Sequence, residues 1–181
     1  MDCGAYSGDT ISALCGHIGV ESIEALYAFE PDSVSRAQLS TLCESKGIRN
    51  YSLFPIAVWN QPEELKFLES GTTASHIAQE GTKNIQANTL DHVLSSQKVT
   101  FLKMDIEGAE LRALQGASNL IQSQRPVLAV CLYHTPEDLF LIPRYIRTLV
   151  SDYQLFVRIY SKSLFGEVVC YAIPPEYIKS K

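Results

Sequence analysis

The chain has 181 residues, 46% of them hydrophobic and 19% charged, the composition of an ordinary globular domain that closes its core without disulfide or metal support. Its net charge of −5 carries no clustered basic excess of the kind nucleic-acid binders use. No apolar run reaches the roughly 20 residues that cross a bilayer, and the start lacks a basic stretch followed by an apolar one, so the expectation is a cytoplasmic protein without a membrane span.

The first ten residues, MDCGAYSGDT, set Asp2, Gly4 and Gly8 just ahead of a helical pattern over about residues 10–16. A glycine-rich turn entering a helix lets a ligand lie against bare backbone and points unpaired N–H groups at it. The nicotinamide fingerprint GxGxxG is not met, because Tyr6 stands where its second glycine belongs. A strand is predicted over residues 25–30, ending in Glu30, about twenty residues past the turn, where an acidic group commonly accepts from a ribose hydroxyl pair. Pro31 and Asp32 open a helix that runs to about Ser45, with Gly47 as its stop signal. A further strand is expected over residues 51–58.

Residues 60–88 break the strand–helix rhythm. They read either as a hairpin or mobile surface loop, or as a segment lying over a bound cofactor and shaping an acceptor pocket. Thr89 caps a short helix, LDHVL, which leads into a strand ending at Asp105. A helix is expected over residues 109–122, then a strand through VLAVCLYH with His134 at its end. Residues 137–153 form an amphipathic helix that Pro143 either kinks or truly starts. The runs QLFVRIYS and EVVCYAIP, separated by KSLFG, predict an antiparallel pair that closes the sheet.

Alternating strands and helices predict an open parallel sheet, and ligands of such sheets bind beyond the carboxyl ends of the strands. Asp2, Glu30, Asp105 and His134 fall at such ends and are expected to converge on one crevice. Each also has a local reading: Asp2 caps its turn, Glu30 caps the helix after Pro31, and Asp105 accepts backbone hydrogen bonds in its own turn. The odd set Cys3, Cys15, Cys43, Cys131 and Cys170 has no CxxC pair and suggests neither a disulfide framework nor a zinc knuckle. Cys131 and Cys170 read as buried thiols. Cys3 reads as a small packing residue or as a thiol acidified by a helix N-terminus.

Taken together, DCGAYSGDT, FEPD, KMDIEGAE and CLYHTPEDL resemble, in order and spacing, the FkbM-like family of S-adenosylmethionine-dependent O-methyltransferases. The resemblance spans nearly the whole chain. It implies an α/β fold: a Rossmann-like class I methyltransferase sheet, helices on both faces and an antiparallel C-terminal strand. Such a sheet has a central strand just before the glycine turn, so the chain is expected to be one methyltransferase domain over residues 1–181 that is N-terminally truncated and lacks that strand. The resemblance implies S-adenosyl-L-methionine as cofactor and a small-molecule or glycan hydroxyl as acceptor. It assigns Asp2, Gly4, Ala5 and Gly8 to the methionine part, Asp9 and Thr10 to support of the turn, and Glu30 to the ribose. Ala57, Val58 and Trp59 would flank the adenine, with Trp59 either stacking on it or serving as an apolar anchor. Asp105 would face the methionine amino group or the acceptor.

Methyl transfer from a sulfonium needs alignment, exclusion of water and removal of the acceptor proton. His134, largely neutral at pH 7 with an ordinary pKa near 6.5, is the first candidate base, and Glu107 is its rival or a helix-capping acid. Lys103, a charged residue inside a strand, is expected to reach a carboxylate. Asp105, Glu107 and His134 are also able to assemble a divalent-metal site, but with no second carboxylate evident around His134 the expectation is that no metal is bound. His17, His76 and His92 have no such company. The alternative to an active enzyme is a scaffold domain of the same fold that binds without turnover.

Overall fold

The structure, a computed structural model, describes residues 1–70, 75–161 and 167–178. The chain forms two compact units: Met1–Ala57 with Pro62–Ala87, and Val58–Gln61 with Asn88–Lys181.

In the first unit, β1 (Asp2–Cys3) leads through the glycine turn into α1 (Asp9–Ile18), followed by β2 (Leu26–Phe29), α2 (Ser33–Lys46) and β3 (Tyr51–Phe54). β2 lies between its neighbours and pairs in parallel with both, Asp2 opposite Ala28 and Leu26 opposite Tyr51. Asp2 and Cys3, which the sequence places in the turn itself, are therefore a strand of two residues standing ahead of it. Between the helices and these strands, Ala5, Ile11, Leu26, Ala28, Leu39, Cys43 and Ile48 form a continuous apolar core. α2 has the expected ends. Asp32 Oδ1 accepts from the N–H groups of Val34 and Ser35, and Gly47 closes the helix in the left-handed region at φ 73°.

The strand expected over residues 51–58 is two strands. β3 ends before Pro55, which has no N–H to continue a ladder, and β4 (Ala57–Val58) follows. Residues 60–88, expected to be a two-stranded hairpin or a surface loop, instead hold three strands, β5 (Glu63–Leu68), β6 (His76–Ile77) and β7 (Lys83–Asn88), with β5 antiparallel to both partners. Residues 71–74 of that segment lie outside the described residues.

In the second unit, α3 (Leu90–Val93) carries the Thr89 cap, whose Oγ1 accepts from His92 N–H. Then come β8 (Phe101–Met104), α4 (Glu110–Gln115), α5 (Ser118–Gln124), β9 (Val127–Cys131), α6 (Asp138–Leu149), β10 (Gln154–Ile159) and β11 (Val168–Ile173). β8 and β9 are parallel, and β11 runs antiparallel to both β9 and β10. The chain is thus α/β with parallel strands and an antiparallel C-terminal pair; the KSLFG linker lies outside the described residues.

The helix expected over residues 109–122 is broken into α4 and α5. The Gly116 carbonyl is diverted to accept from Asp91 N–H, and the Asp91 carboxylate accepts from Asn119 and Leu120 N–H, capping α5 from a distant segment. A Cβ at Gly116 would collide with the Trp59 carbonyl oxygen. Pro143 lies inside α6, so it is not the helix start. Among the described residues no helix is long and apolar enough to cross a membrane.

Candidate functional site

The residues expected at the site fall into two groups, one in each unit. In the first, the glycine turn is fixed by backbone. Gly4 and Ala5 N–H both donate to the Phe29 carbonyl at the end of β2, and Gly8 N–H donates to the Ala5 carbonyl. Gly4, Tyr6 and Gly8 adopt left-handed φ values of 76°, 47° and 90°, which only glycine reaches without strain. The 7%-exposed Glu30 ties this turn to the next corner. Its Oε2 accepts from Tyr6 N–H at 2.8 Å and its Oε1 from Asp32 N–H at 2.9 Å. Arg36 Nη1 donates to the Glu30 carbonyl.

The side chains of this group are divided. Asp2 and Ala5 are buried, Gly4 is partly exposed, and Asp9 and Thr10 are exposed in the first turn of α1. Gly8 does more than leave room for a ligand: a Cβ there would meet the side chains of Leu42 and Leu39, so its bareness serves the packing of α2. Among the described residues no side chain caps α1, and the first-turn N–H groups of a helix are where an anion binds. The β5–β7 segment reaches the same corner. Glu69 Oε1 accepts from Ser33 N–H and Oγ and from Lys83 Nζ, contacts that hold its carboxyl below the usual range. Ser75 Oγ donates to Asp32 Oδ2 at 2.8 Å.

The second group is built from side-chain charge. After β8, the Glu110 carboxylate accepts from Ile106 N–H at 2.7 Å and Gly108 N–H at 3.1 Å, folding the MDIEG loop back on its helix. That closure holds Glu107 and Gly108 in left-handed conformations, φ 56° and 92°. The His134 side chain, 8% exposed, follows β9 and is ringed by carboxylates. Its Nδ1 lies 3.0 Å from Glu110 Oε1, and its Nε2 lies 3.4 Å from Asp105 Oδ1 and 3.6 Å from Glu107 Oε2. Neither nitrogen makes a well-directed hydrogen bond, so the attraction is chiefly charge to charge. Burial pulls the imidazole pKa down, but the contacts and charges of Glu107 and Glu110 outweigh it and push the value up to about 10. The expectation of a largely neutral His134 at pH 7 rested on an ordinary pKa, and these carboxylates alter it.

Tyr133 Oη donates to Asp105 Oδ1 at 2.8 Å, and burial with the Asp105 charge raises the phenol further above its usual range. Asp138 Oδ2 accepts from Thr135 N–H, and its carboxyl lies within reach of Glu110 and His134. Glu110, Tyr133 and Asp138 were missed in the sequence. Asp138 had a local signal, the T-x-x-D spacing from Thr135 that marks a helix start.

Ala57 and Val58 are buried in β4. The Arg112 guanidinium lies 5.3 Å from the Trp59 ring centroid, a cation–π contact that occupies one ring face. Cys3, Cys131 and Cys170 are buried thiols. Burial, with the nearby Asp105 charge, moves Cys131 well above the ordinary thiol range, and burial moves Cys170 up to about 11.

The chain matches the model of the methyltransferase FkbM domain over residues 2–160. Among solved structures it is similar to methyltransferase FkbM from Methylobacillus flagellatus KT, with TM-score 0.79 and 25% identity across 94% of this chain and 42% of that one. It is also similar to an rRNA methylase from Streptococcus thermophilus, with TM-score 0.58 and 14% identity across 94% and 82% of the two chains. A Streptococcus mutans protein described as a methyltransferase and solved in complex with SAH gives TM-score 0.54 and 10% identity across 94% and 85%. These last two speak for the fold alone. The chain spans less than half the length of the Methylobacillus protein, and no curated protein matches it.

Proposed function

Because the chain belongs to the FkbM family of methyltransferases, we propose that it transfers a methyl group from S-adenosylmethionine to a hydroxyl of a small molecule or sugar-containing metabolite. The observation that carries this reading is the turn itself. Its left-handed glycines, the α1 start with no side-chain cap and the immobilised Glu30 carboxylate fit a ligand with one carboxylate and one ribose diol. The first-turn N–H groups of α1 take the carboxylate, Glu30 accepts from the ribose hydroxyls, and Asp2, Gly4, Ala5 and Gly8 shape the methionine side, with Asp9 and Thr10 supporting the turn.

When bound, the cofactor supplies an activated sulfonium methyl. The chain's share is alignment and proton removal. The hydroxyl proton would be taken up by a carboxylate of the Asp105, Glu107 and His134 cluster. Glu107 is favoured as that acceptor over the expected base His134 on accessibility: its side chain is 35% exposed and that of His134 is 8%.

Calorimetric titration with S-adenosylmethionine and with S-adenosylhomocysteine tests the first half of this reading. Transfer of a labelled methyl group to a panel of polyol and sugar acceptors, with the product O-methyl identified by NMR, tests the second. Saturable cofactor binding followed by a labelled O-methyl product is expected. Binding without transfer to any acceptor favours the scaffold reading, and absence of binding overturns the proposal.

A further inference from the structure

Asp105, Glu107 and His134 present one oxygen, one oxygen and one nitrogen within 4.8 Å of one another. The separations are informative. Nε2 of His134 stands 3.4 Å from Asp105 Oδ1 and 3.6 Å from Glu107 Oε2, beyond ordinary hydrogen-bond length. Two ligands held at about 2.0–2.2 Å from one cation, at octahedral to tetrahedral angles, stand roughly 3.0–3.6 Å apart. The two separations from Nε2 are longer than hydrogen bonds and match those between co-ligands of one cation.

A cluster of acids alone would say little, since exposed carboxylates commonly gather without a cation. The imidazole is the second and independent observation. It is a polar side chain more than nine-tenths buried, aimed at Asp105 and Glu107, and its Nε2 has no hydrogen-bond partner. The carboxylates attract it by charge without a directed hydrogen bond, and a bound cation would take the imidazolium's place among them as the positive centre.

The surroundings match what lies behind metal ligands. Glu110, fully buried, stands 3.0 Å from the opposite imidazole nitrogen, the carboxylate–histidine arrangement that sets ring orientation at metal centres. Glu110 is itself held by two backbone N–H groups, and Tyr133 Oη orients Asp105. Glu110 lies on the Nδ1 side, and it and Asp138, which is also within reach of the imidazole, already accept backbone N–H groups. The Nε2 side is therefore the open one. Asp105 and Glu107, with side chains 29% and 35% exposed, give it access to solvent.

We infer that Asp105, Glu107 and His134 form a binding site for a first-row divalent cation, with Glu110 and Tyr133 as positioning residues. One imidazole with two carboxylates suits manganese, cobalt or zinc better than calcium, which prefers an all-oxygen shell. Each carboxylate gives one oxygen to the cation, and the remaining coordination positions are left to water or to a hydroxyl ligand. The inference stands on the second unit alone and does not require the cofactor reading.

The test is titration of the chelator-treated full chain with Co²⁺, without S-adenosylmethionine, followed by the visible ligand-field spectrum and by calorimetry. One equivalent of saturable binding is expected. Asp105→Asn should weaken it by at least about tenfold, Glu110→Gln by about 10–100-fold, and Asp152→Asn, a carboxylate outside the cluster, should leave it unchanged. Circular dichroism checks that each variant is folded. If Glu110→Gln fails to fold, the half-exposed Asp105→Asn carries the decision. Absence of stoichiometric binding, or an equal loss in Asp105→Asn and Asp152→Asn, overturns the site. Cofactor binding is measured separately, so its failure leaves this result standing.

Discussion

The glycine turn and the histidine–carboxylate cluster are both built at strand ends, yet they are held by opposite means. Around the turn, backbone groups satisfy one another: Phe29 and Ala5 carbonyls accept from Gly4, Ala5 and Gly8 N–H, and the Glu30 carboxylate accepts from the N–H groups of Tyr6 and Asp32. Around His134, carboxylates crowd one imidazole and geometry follows charge. The first site is therefore set by dihedral angles and tolerates little added volume. The second is set by ionisation and tolerates little change of charge.

The largest effect expected from this contrast is chemical. Glu107→Gln removes the favoured proton acceptor, and turnover should fall by about 10²–10⁴ while cofactor affinity stays nearly constant. Steady-state kinetics with saturating cofactor check this; a parallel loss of cofactor affinity would mean that the two sites are not separable in this way. Gly8→Ala probes the other region. A side chain at φ 90° facing Leu42 and Leu39 combines left-handed strain with overpacking, roughly 2–4 kcal/mol together. Thermal unfolding should register that loss, and a stable Gly8→Ala protein would show that α2 yields more easily than the fold implies.

Glu30→Ala comes next. It removes the acceptor of the Tyr6 and Asp32 N–H groups and, on the proposed cofactor reading, of the ribose hydroxyls, so S-adenosylmethionine binding should weaken by about 1.5–3 kcal/mol. Calorimetry measures it, with circular dichroism as the check on folding. Because those N–H groups belong to the turn, a lowered unfolding temperature should accompany the weaker binding. Unchanged affinity in a folded variant would remove Glu30 from the ligand's reach and leave it as a local clamp.

What the sequence made legible follows the range of the interactions. The Asp32 cap, the Gly47 stop, the Thr89 cap and the antiparallel C-terminal pair depend on residues a few positions apart, and each was readable. The break between α4 and α5 was not, because it is imposed by Asp91, which lies far away in the chain yet caps α5 and binds the Gly116 carbonyl. The candidate site divides in the same way. Its turn and its strand-end acids carry motif spacing, whereas the ring of Glu110, Tyr133 and Asp138 around Asp105 and His134 exists only after folding. The charge state of His134 could not be read before that ring was known, since an isolated histidine has no reason to leave its ordinary pKa.

A third arrangement of charge gives the smallest expected effect and shows what burial contributes to the second site. Arg125, the left-handed residue ending α5, donates from Nη1 and Nη2 to the two Asp152 oxygens, at 3.0 Å each, and from Nε and Nη2 to Glu176 at 2.8 and 3.0 Å. Its guanidinium also lies 5.7 Å from the Tyr153 ring centroid. Hydrogen bonding to Arg125 lowers the Asp152 carboxyl and brings Glu176 from 4.5 down to about 2. Both acids are exposed, so their contribution is small and screened by salt. A carboxyl depressed on folding stabilises the native state above its unfolded pKa and loses that contribution as pH falls through its folded pKa. The unfolding-temperature difference between the natural chain and Arg125→Gln should therefore be constant above about pH 5 and shrink between about pH 4.5 and 2. It should also narrow in molar salt. A difference that persists at pH 2 and in salt would assign the effect of Arg125 to packing on Tyr153 rather than to charge.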